Sequence, residues 1–375
     1  MSDLKYWLGF NAVSGIGPAK IQALLGAFGD LEPAWRASEG QLRDIGFDVR
    51  AIESLRETRQ TLDLDRLVGL VEASGAHVLT WDNSDYPSLL RQIPAAPPVI
   101  FVRGGFEPVD QWAVAIVGTR RLSAYGRLVA HDLATGLARN GITIVSGLAR
   151  GIDGVAHRAA LEADGRTIAV MGCGIDRVYP PEHRDLAHAI VAGQGALVTD
   201  FPLGTEPSSA NFPARNRLIS GLSLGVVVIE AGERSGALIT ARFALEQDRE
   251  VFAVPGNINS PVSVGTNRLI QQGAKLVMGI EDILEELNLR MASEQAAAQV
   301  VLPDSAEEAA LLSQLSTQPL HVDDLGRLTG MPSYLISSTL TMMELKGMVQ
   351  QVGGMNYVRL REPEVVYDGR QDLEE

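Results

Sequence analysis

Short, almost wholly apolar runs recur along the middle of this chain, and helical patterns separate most of them. The runs fall at 77–80, 99–102, 113–117, 143–146, 167–171, 196–199, 225–229, 250–254 and 275–278. Helical stretches fall at 124–140, 154–164, 184–192, 240–247 and 264–272. A strand apolar throughout is one buried on both faces, and a parallel neighbour is reached through a crossover that is usually a helix. The alternation therefore predicts an α/β fold: an extended, Rossmann-like, doubly wound and mostly parallel sheet with helices on both faces. Ligands of such sheets sit beyond the carboxyl ends of the strands.

Both flanks read differently. Residues 1–65 form a helical region (4–11, 19–27, 31–37, 39–44 and 50–65) with a helix-hairpin-helix turn at Ser14-Gly15-Ile16-Gly17-Pro18, an N-terminal cap of the helix-hairpin-helix or SAM-like kind. Its glycines permit a tight turn and Pro18 opens the next helix. That turn is open to two readings, a phosphate site at a helix N-terminus or a purely structural hairpin among rather acidic helices. The sheet domain is expected over 66–290 and a linker over 291–305. Over 306–361 the order helix (306–315), helix (322–329), helix (333–345) and two strands (348–352, 355–360) describes a winged helix. Its third helix carries one lysine and no arginine, so it reads as a protein-contact or cap module rather than a duplex reader. Residues 362–375 form an acidic tail.

Composition narrows the class. With 375 residues, 46% hydrophobic and 21% charged, the chain has material for two or three packed domains, and a disordered or collagen-like chain is excluded. No apolar run is long enough to span a bilayer, and the lone Cys173 offers neither a disulfide nor a zinc cluster. The expectation is a soluble, cytoplasmic protein without membrane contact. The net charge of −14 speaks against bulk coating of nucleic acid, but it is unevenly placed. Residues 281–375 hold 17 acids against 6 bases, whereas within 113–163 six arginines face three acids. A local basic centre, not the whole-chain charge, is what an anionic ligand meets.

Four glycine-rich loops follow four of the runs, and a parallel sheet brings all four to one edge. They are Gly118-Thr119-Arg120-Arg121; Ser146-Gly147 through Arg150, Gly151 and Asp153; Gly172-Cys173-Gly174-Ile175-Asp176; and Glu230 to Gly236, which includes Ser235. Glycine lets backbone approach a ligand, and helix N-termini with arginines favour anionic groups, so the combination points to a phosphate-rich ligand. Arg215-Asn216-Arg217 is a polar trio in an apolar neighbourhood. It suits either a grip on phosphate and base edge or internal bonds to the loops, with Glu230 as one partner. No GxxxxGK[ST], dinucleotide fingerprint or GxSxG elbow is present. Asp153 and His157 share a helix face, but two residues make no metal site; helix capping and a buried histidine are the expectation. Cys173 reads as a packing residue. No catalytic residue, metal or cofactor is assigned.

Taken together, VAIVGTRRLSAYG, IVSGLARGIDGVAHRAAL, TIAVMGCGIDRVYPPEHRDL, NFPARNRLISGLS, VVIEAGERSGALITARFALEQDREVFAVPG and GTNRLIQQGAKLV, in that order, closely resemble the DNA-processing protein A (DprA/Smf) family. The upstream DNSDYPSLL and PPVIFVRGG fit as well. The resemblance implies a single-stranded DNA binding protein rather than an enzyme. It would be a homodimer through the Rossmann-like domain that protects incoming strands in natural transformation and recombination and helps load the RecA recombinase. Carried over by motif, the DNA-binding pocket comprises Gly118, Thr119, Arg120, Arg121, Ser146, Gly147, Arg150, Gly151, Asp153, Arg215, Asn216 and Arg217, with Ser235 and Gly236 beside it. Arg120 and Arg217 are the first phosphate contacts it implies, and 252–275 the dimer or recombinase surface. Lysines are few near the pocket, and Tyr125, Tyr179 and Phe212 are the nearby stacking aromatics.

Two other classes remain for comparison. A nucleotide-cleaving phosphoribohydrolase of the lysine decarboxylase-like type has a similar loop, but its PGGxGTxxE motif is not matched by IEAGERSGALITA. A duplex-binding transcription factor would need a more basic third helix in the winged domain.

Overall fold

The computed structural model describes residues 3–193, 195–288, 305–316, 320–345, 348–351 and 355–359. It divides into two compact units, Met1–Ala292 and Ser293–Glu375. The expected linker, apart from Ser305, and the acidic tail lie outside the described residues.

Six helices open the first unit: α1 (Leu4–Asn11), α2 (Pro18–Phe28), α3 (Leu31–Arg36), α4 (Glu39–Asp44), α5 (Val49–Thr61) and α6 (Leu64–Ala73). The helix expected over 50–65 is two helices, because the Asp63 carboxylate accepts from the Arg66 amide and starts a new one. α6 therefore runs across the expected 65/66 boundary. The hairpin between α1 and α2 turns at Gly15 (φ 82°), where Lys20 donates to the Gly15 carbonyl at 2.9 Å and pairs with Asp48 at 2.6 Å. Trp7, Phe10, Leu24, Leu31, Leu42 and Leu55 are fully buried in a core that continues into Leu148, Met171, Cys173 and Ile190 of the following segment. The helices are thus a layer laid on the sheet domain, with which they share one unit.

Next come β1 (His77–Thr80), α7 (Ser88–Arg91), β2 (Val99–Gly104), β3 (Ala113–Val117), α8 (Ala124–Arg139), β4 (Thr143–Ser146), α9 (Ile152–Glu162), β5 (Thr167–Val170), α10 (Arg184–Val191) and β6 (Gly195–Thr199). They are followed by α11 (Asn211–Gly221), β7 (Gly225–Val228), α12 (Gly236–Glu246), β8 (Glu250–Ala253), α13 (Val264–Gln271), β9 (Lys275–Leu276) and α14 (Ile280–Glu286). The sheet has the order β1-β2-β6-β5-β4-β3-β7-β8-β9. β1–β2 and β2–β6 are antiparallel and every pair from β6 to β9 is parallel. Side chains of β3, β4, β5 and β7 are buried throughout, as their apolar composition requires. From β3 the chain winds outward to β4 and β5, then returns to place β7 on the other side of β3. The order reverses between β3 and β7, and that is where the loops after these strands part to leave a crevice.

The second unit holds helices Ala306–Gln314, Val322–Thr329 and Ser333–Leu345 and the strands Val349–Gln351 and Asn356–Arg359. A third, two-residue strand, Leu320–His321, completes the sheet by pairing with Asn356 and Tyr357; it is too short to show in a sequence pattern. Leu311, Leu325, Ile336, Leu340 and Met343 form its core. The fold is a winged helix.

Candidate nucleic-acid interface

The crevice between β3 and β7 is an open cleft of about 920 Å³. Its walls are the loop after β3 (Gly118 to Arg121), the loop after β7 (Gly232 to Gly236) and the first turns of α11 and α12. Arg120, Arg121 and Arg234 are exposed around it. Among the described residues no carboxylate pairs with any of the three, in contrast to Arg150, Arg217 and Arg268. The Arg120 guanidinium lies 5.2 Å from the centre of the Phe212 ring, and Phe212 lies 5.6 Å from Tyr179 with the rings tilted by 36°. The cleft thus presents unneutralised guanidinium groups beside an aromatic wall, two features that hold phosphates and unstacked bases. Arg234 belongs to one of the four loops, but the family motifs did not single it out; its unpaired charge is visible only in three dimensions.

Other expected site residues make bonds within the protein, Asp153, Arg215 and Asn216 among them while also lining the cleft. Arg215 is 3% exposed and donates to the carbonyl oxygens of Gly147, at 2.8 Å, and Val170. Asp153 accepts from the amides of Gly147 (3.2 Å) and Ala149 (3.3 Å). Burial lowers the Arg215 guanidinium to about 10, so it stays protonated at neutral pH. Burial also raises the Asp153 carboxyl, against the opposing pull of Arg215. Asn216 donates to the Gly236 carbonyl at 3.2 Å, and Ser146 to that of Ile116 at 2.6 Å. Arg217 pairs with Asp200 and donates to the Ala95 carbonyl, and it is absent from the cleft lining. Internal bonding, one of the two readings of the 215–217 trio, is thus present, and Arg215 and Asn216 also line the cleft. Glu230 is not its partner: that carboxylate accepts from the Ser123 amide at 3.0 Å and from the Ser123 hydroxyl, fixing the start of α8. Arg150 lines a small adjoining recess with Arg120, Gly147, Tyr179 and Phe212, and pairs with Glu182.

The glycines also divide. A Cβ on Gly147 would come within 2.6 Å of Arg215, one on Gly118 within 2.6 Å of Ile152, and one on Gly151 within 2.2 Å of the Thr119 carbonyl. Gly151 also has φ 85°, where side chains are strained. At these glycines protein packs closely against protein, and Gly118 also lines the cleft. Gly236 is different: nothing lies within 4 Å of its Cβ position, and it faces the cleft.

Asp153 does not cap its own helix; it holds the loop before it. His157 is fully buried, with Nδ1 2.7 Å from the Thr167 hydroxyl, and burial lowers its pKa to about 3. Cys173 is buried and its thiol is pushed up to about 11. Among the described residues no cluster of His, Cys, Asp and Glu is arranged to hold a metal ion, and no helix is long and apolar enough to cross a membrane.

Fold and site together define a Rossmann-like α/β protein with an arginine-lined cleft at its switch point and a winged-helix unit. Residues 77–288 match the model of the DNA recombination-mediator protein A family and residues 294–355 that of the DprA winged helix domain. The chain belongs to the DNA recombination-mediator protein A (DprA/Smf) family. It is 33% identical over 395 residues to protein Smf of Synechocystis, covering 96% of this chain and 99% of that one. The crystal structure of DNA processing protein A from Streptococcus pneumoniae aligns with a TM-score of 0.66 at 35% identity, covering 76% of this chain and 99% of that one. The Helicobacter pylori protein, whose structure is described for its single-stranded DNA binding mode, aligns with a TM-score of 0.51 at 31% identity, covering 57% and 97%.

Proposed function

We propose that this chain binds and protects single-stranded DNA in the cleft between β3 and β7 and promotes loading of RecA recombinase onto the bound strand, as a cytoplasmic homodimer serving recombination and natural transformation. The observation that carries the binding reading is the convergence of Arg120, Arg121 and Arg234, free of carboxylates among the described residues, beside the Phe212–Tyr179 wall. The single-stranded DNA binding of the Helicobacter pylori relative supports the same ligand, and the family's role as a recombination mediator supports the recombinase step. In this reading the three arginines take backbone phosphates and the aromatic wall stacks a base. The backbone at Gly118, Thr119, Ser235 and Gly236 lies against the strand. Ser146, Gly147, Gly151, Asp153, Arg215, Asn216 and Arg217 shape the cleft, and Arg150 borders it. Binding without bond cleavage fits the carboxylate that lines the cleft, Asp153, which is engaged by the backbone amides of Gly147 and Ala149.

The test is fluorescence anisotropy of a labelled dT oligonucleotide against a duplex of equal length across a salt series, for the wild type, Arg120→Ala and Arg234→Ala. Single strands are expected to bind more tightly, with the salt slope of each variant shallower by about 0.7, the value of one phosphate contact on a single strand. Binding indifferent to both arginines rejects the cleft. RecA ATPase on DNA precoated with a single-strand binding protein, with and without this chain, tests the loading step, and sedimentation tests the dimer.

A further inference from the structure

A second basic surface begins where the cleft ends. Helices α8 and α9 lie side by side, and an open groove of about 530 Å³ runs between them, lined by Arg127, Leu128 and His131 of α8 and Val155, Arg158 and Glu162 of α9. The first turns of both helices are tied to the cleft wall. The Ile152 amide donates to the Thr119 carbonyl at 3.2 Å, and Ser123, which caps α8, is held by Glu230. Arg121 lines the cleft and Ala124, three residues later, lines the groove, so the two are at most about 11 Å apart along the chain. Among the described residues Arg127 and Arg158 have no carboxylate partner; Arg158 donates only to the Gly154 carbonyl of its own helix, at 3.0 Å. Leu128, 60% exposed, lies between α8's arginine and the histidine below it. The far end is closed by charge of the other sign: His131 lies 3.4 Å from Glu162 and 3.3 Å from Asp132.

The geometry points to the mouth of this groove as a second single-strand subsite, in which Arg127 and Arg158 take backbone phosphates of the strand leaving the cleft and Leu128 meets an unstacked base. The inference rests on the cleft reading above. Its occupant follows from charge: two unpaired guanidinium groups continue the unpaired series Arg120 and Arg121, while Glu162 and Asp132 repel phosphate and end the track about two helical turns below the cleft. The groove would therefore add contacts only for strands long enough to leave the cleft.

A dT length ladder separates the two sites. Affinity and salt slope are measured at each length for the wild type, Arg120→Ala and Arg127→Ala/Arg158→Ala; both groove positions are exposed, and equal urea midpoints check the fold. The shortest oligomer that binds is expected to be weakened by Arg120→Ala and unaffected by the double variant. Longer oligomers are expected to bind the double variant with a slope shallower by about 1.4, the value of two phosphate contacts. A double variant that matches the wild type at every length, while Arg120→Ala still weakens binding, overturns the groove and leaves the cleft intact. A shortest oligomer indifferent to Arg120→Ala rejects the cleft, and with it a strand routed from cleft to groove.

Discussion

Arg215 donates to the carbonyl oxygen of Gly147 at 2.8 Å, across 68 residues of chain. Its neighbours on α11 reach elsewhere: Asn216 to the Gly236 carbonyl and Arg217 to Asp200. Successive helical residues point about 100° apart, so three consecutive side chains fan out to loops that follow different strands. With the bond from Arg215 to Val170, α11 ties together the carboxyl ends of β4, β5, β6 and β7. The floor of the cleft is held by a buried cation rather than by apolar packing alone.

Arg215→Ala should destabilise the protein by about 3–5 kcal/mol, because it leaves two carbonyls short of a donor and Asp153 buried without a nearby cation. Urea denaturation followed by tryptophan fluorescence measures this. A loss below about 1 kcal/mol would mean the carbonyls find other partners on relaxation.

Arg217→Ala and Arg120→Ala should separate stability from binding. Arg217 and Asp200 are both less than one-fifth exposed, so removing the arginine strands a carboxylate that burial already pushes up, at a cost of about 2–4 kcal/mol. Arg120 is exposed without a carboxylate partner among the described residues, so its loss should change stability by no more than about 0.5 kcal/mol while weakening dT binding. Urea midpoints and anisotropy on the same two preparations decide the matter.

Gly151→Ala and Gly236→Ala should behave oppositely. At Gly151 a Cβ meets the Thr119 carbonyl at 2.2 Å on a backbone with φ 85°, so that variant is expected to lose about 2 kcal/mol or more, or to misfold. At Gly236 the Cβ enters open space at the first turn of α12, so the variant should be as stable as the wild type. Weakened dT binding by a fully folded Gly236→Ala would place the strand against this backbone.

Acid should destabilise the fold through His157 before the carboxylates titrate. Its folded pKa is lowered to about 3 from an ordinary 6.5, so the unfolded chain binds the extra proton first. Stability from this group is complete above pH 6.5 and falls as pH drops toward 3, by about 2 kcal/mol between pH 7 and 5. His157→Gln should lack that part of the slope, and the gap between variant and wild type should close by about that amount over the same interval. Urea titrations at pH 7, 6 and 5 report the gap; a constant gap would show that His157 keeps an ordinary pKa.

The elements legible in the sequence were those with one apolar face or none exposed. Strands 77–80, 113–117 and 143–146 and helices such as Leu4–Asn11 and Val322–Thr329 match to the residue, because period and length are local properties. α11 was not read as a helix. Its polar trio faces buried partners on several sides, so polar and apolar residues do not segregate along it, and Pro213 in its first turn reads as a break. The join between α5 and α6 was missed because Asp63 reads equally well inside one long amphipathic helix or as the cap of a second.

The sequence by itself determined the sheet, its flanking helical and winged units, and the gathering of the glycine-rich loops at one edge, since alternating hydrophobic runs and turn residues encode these within short windows. Which arginines stand unpaired around the cleft was decided only by the tertiary structure. Arg120, Arg121 and Arg234 are chemically identical to Arg215 and Arg217, and the difference lies in carbonyls and carboxylates brought up from as far as 122 residues away. Whether a charge is left unpaired depends on what surrounds it, and those surroundings exist only once the chain has folded.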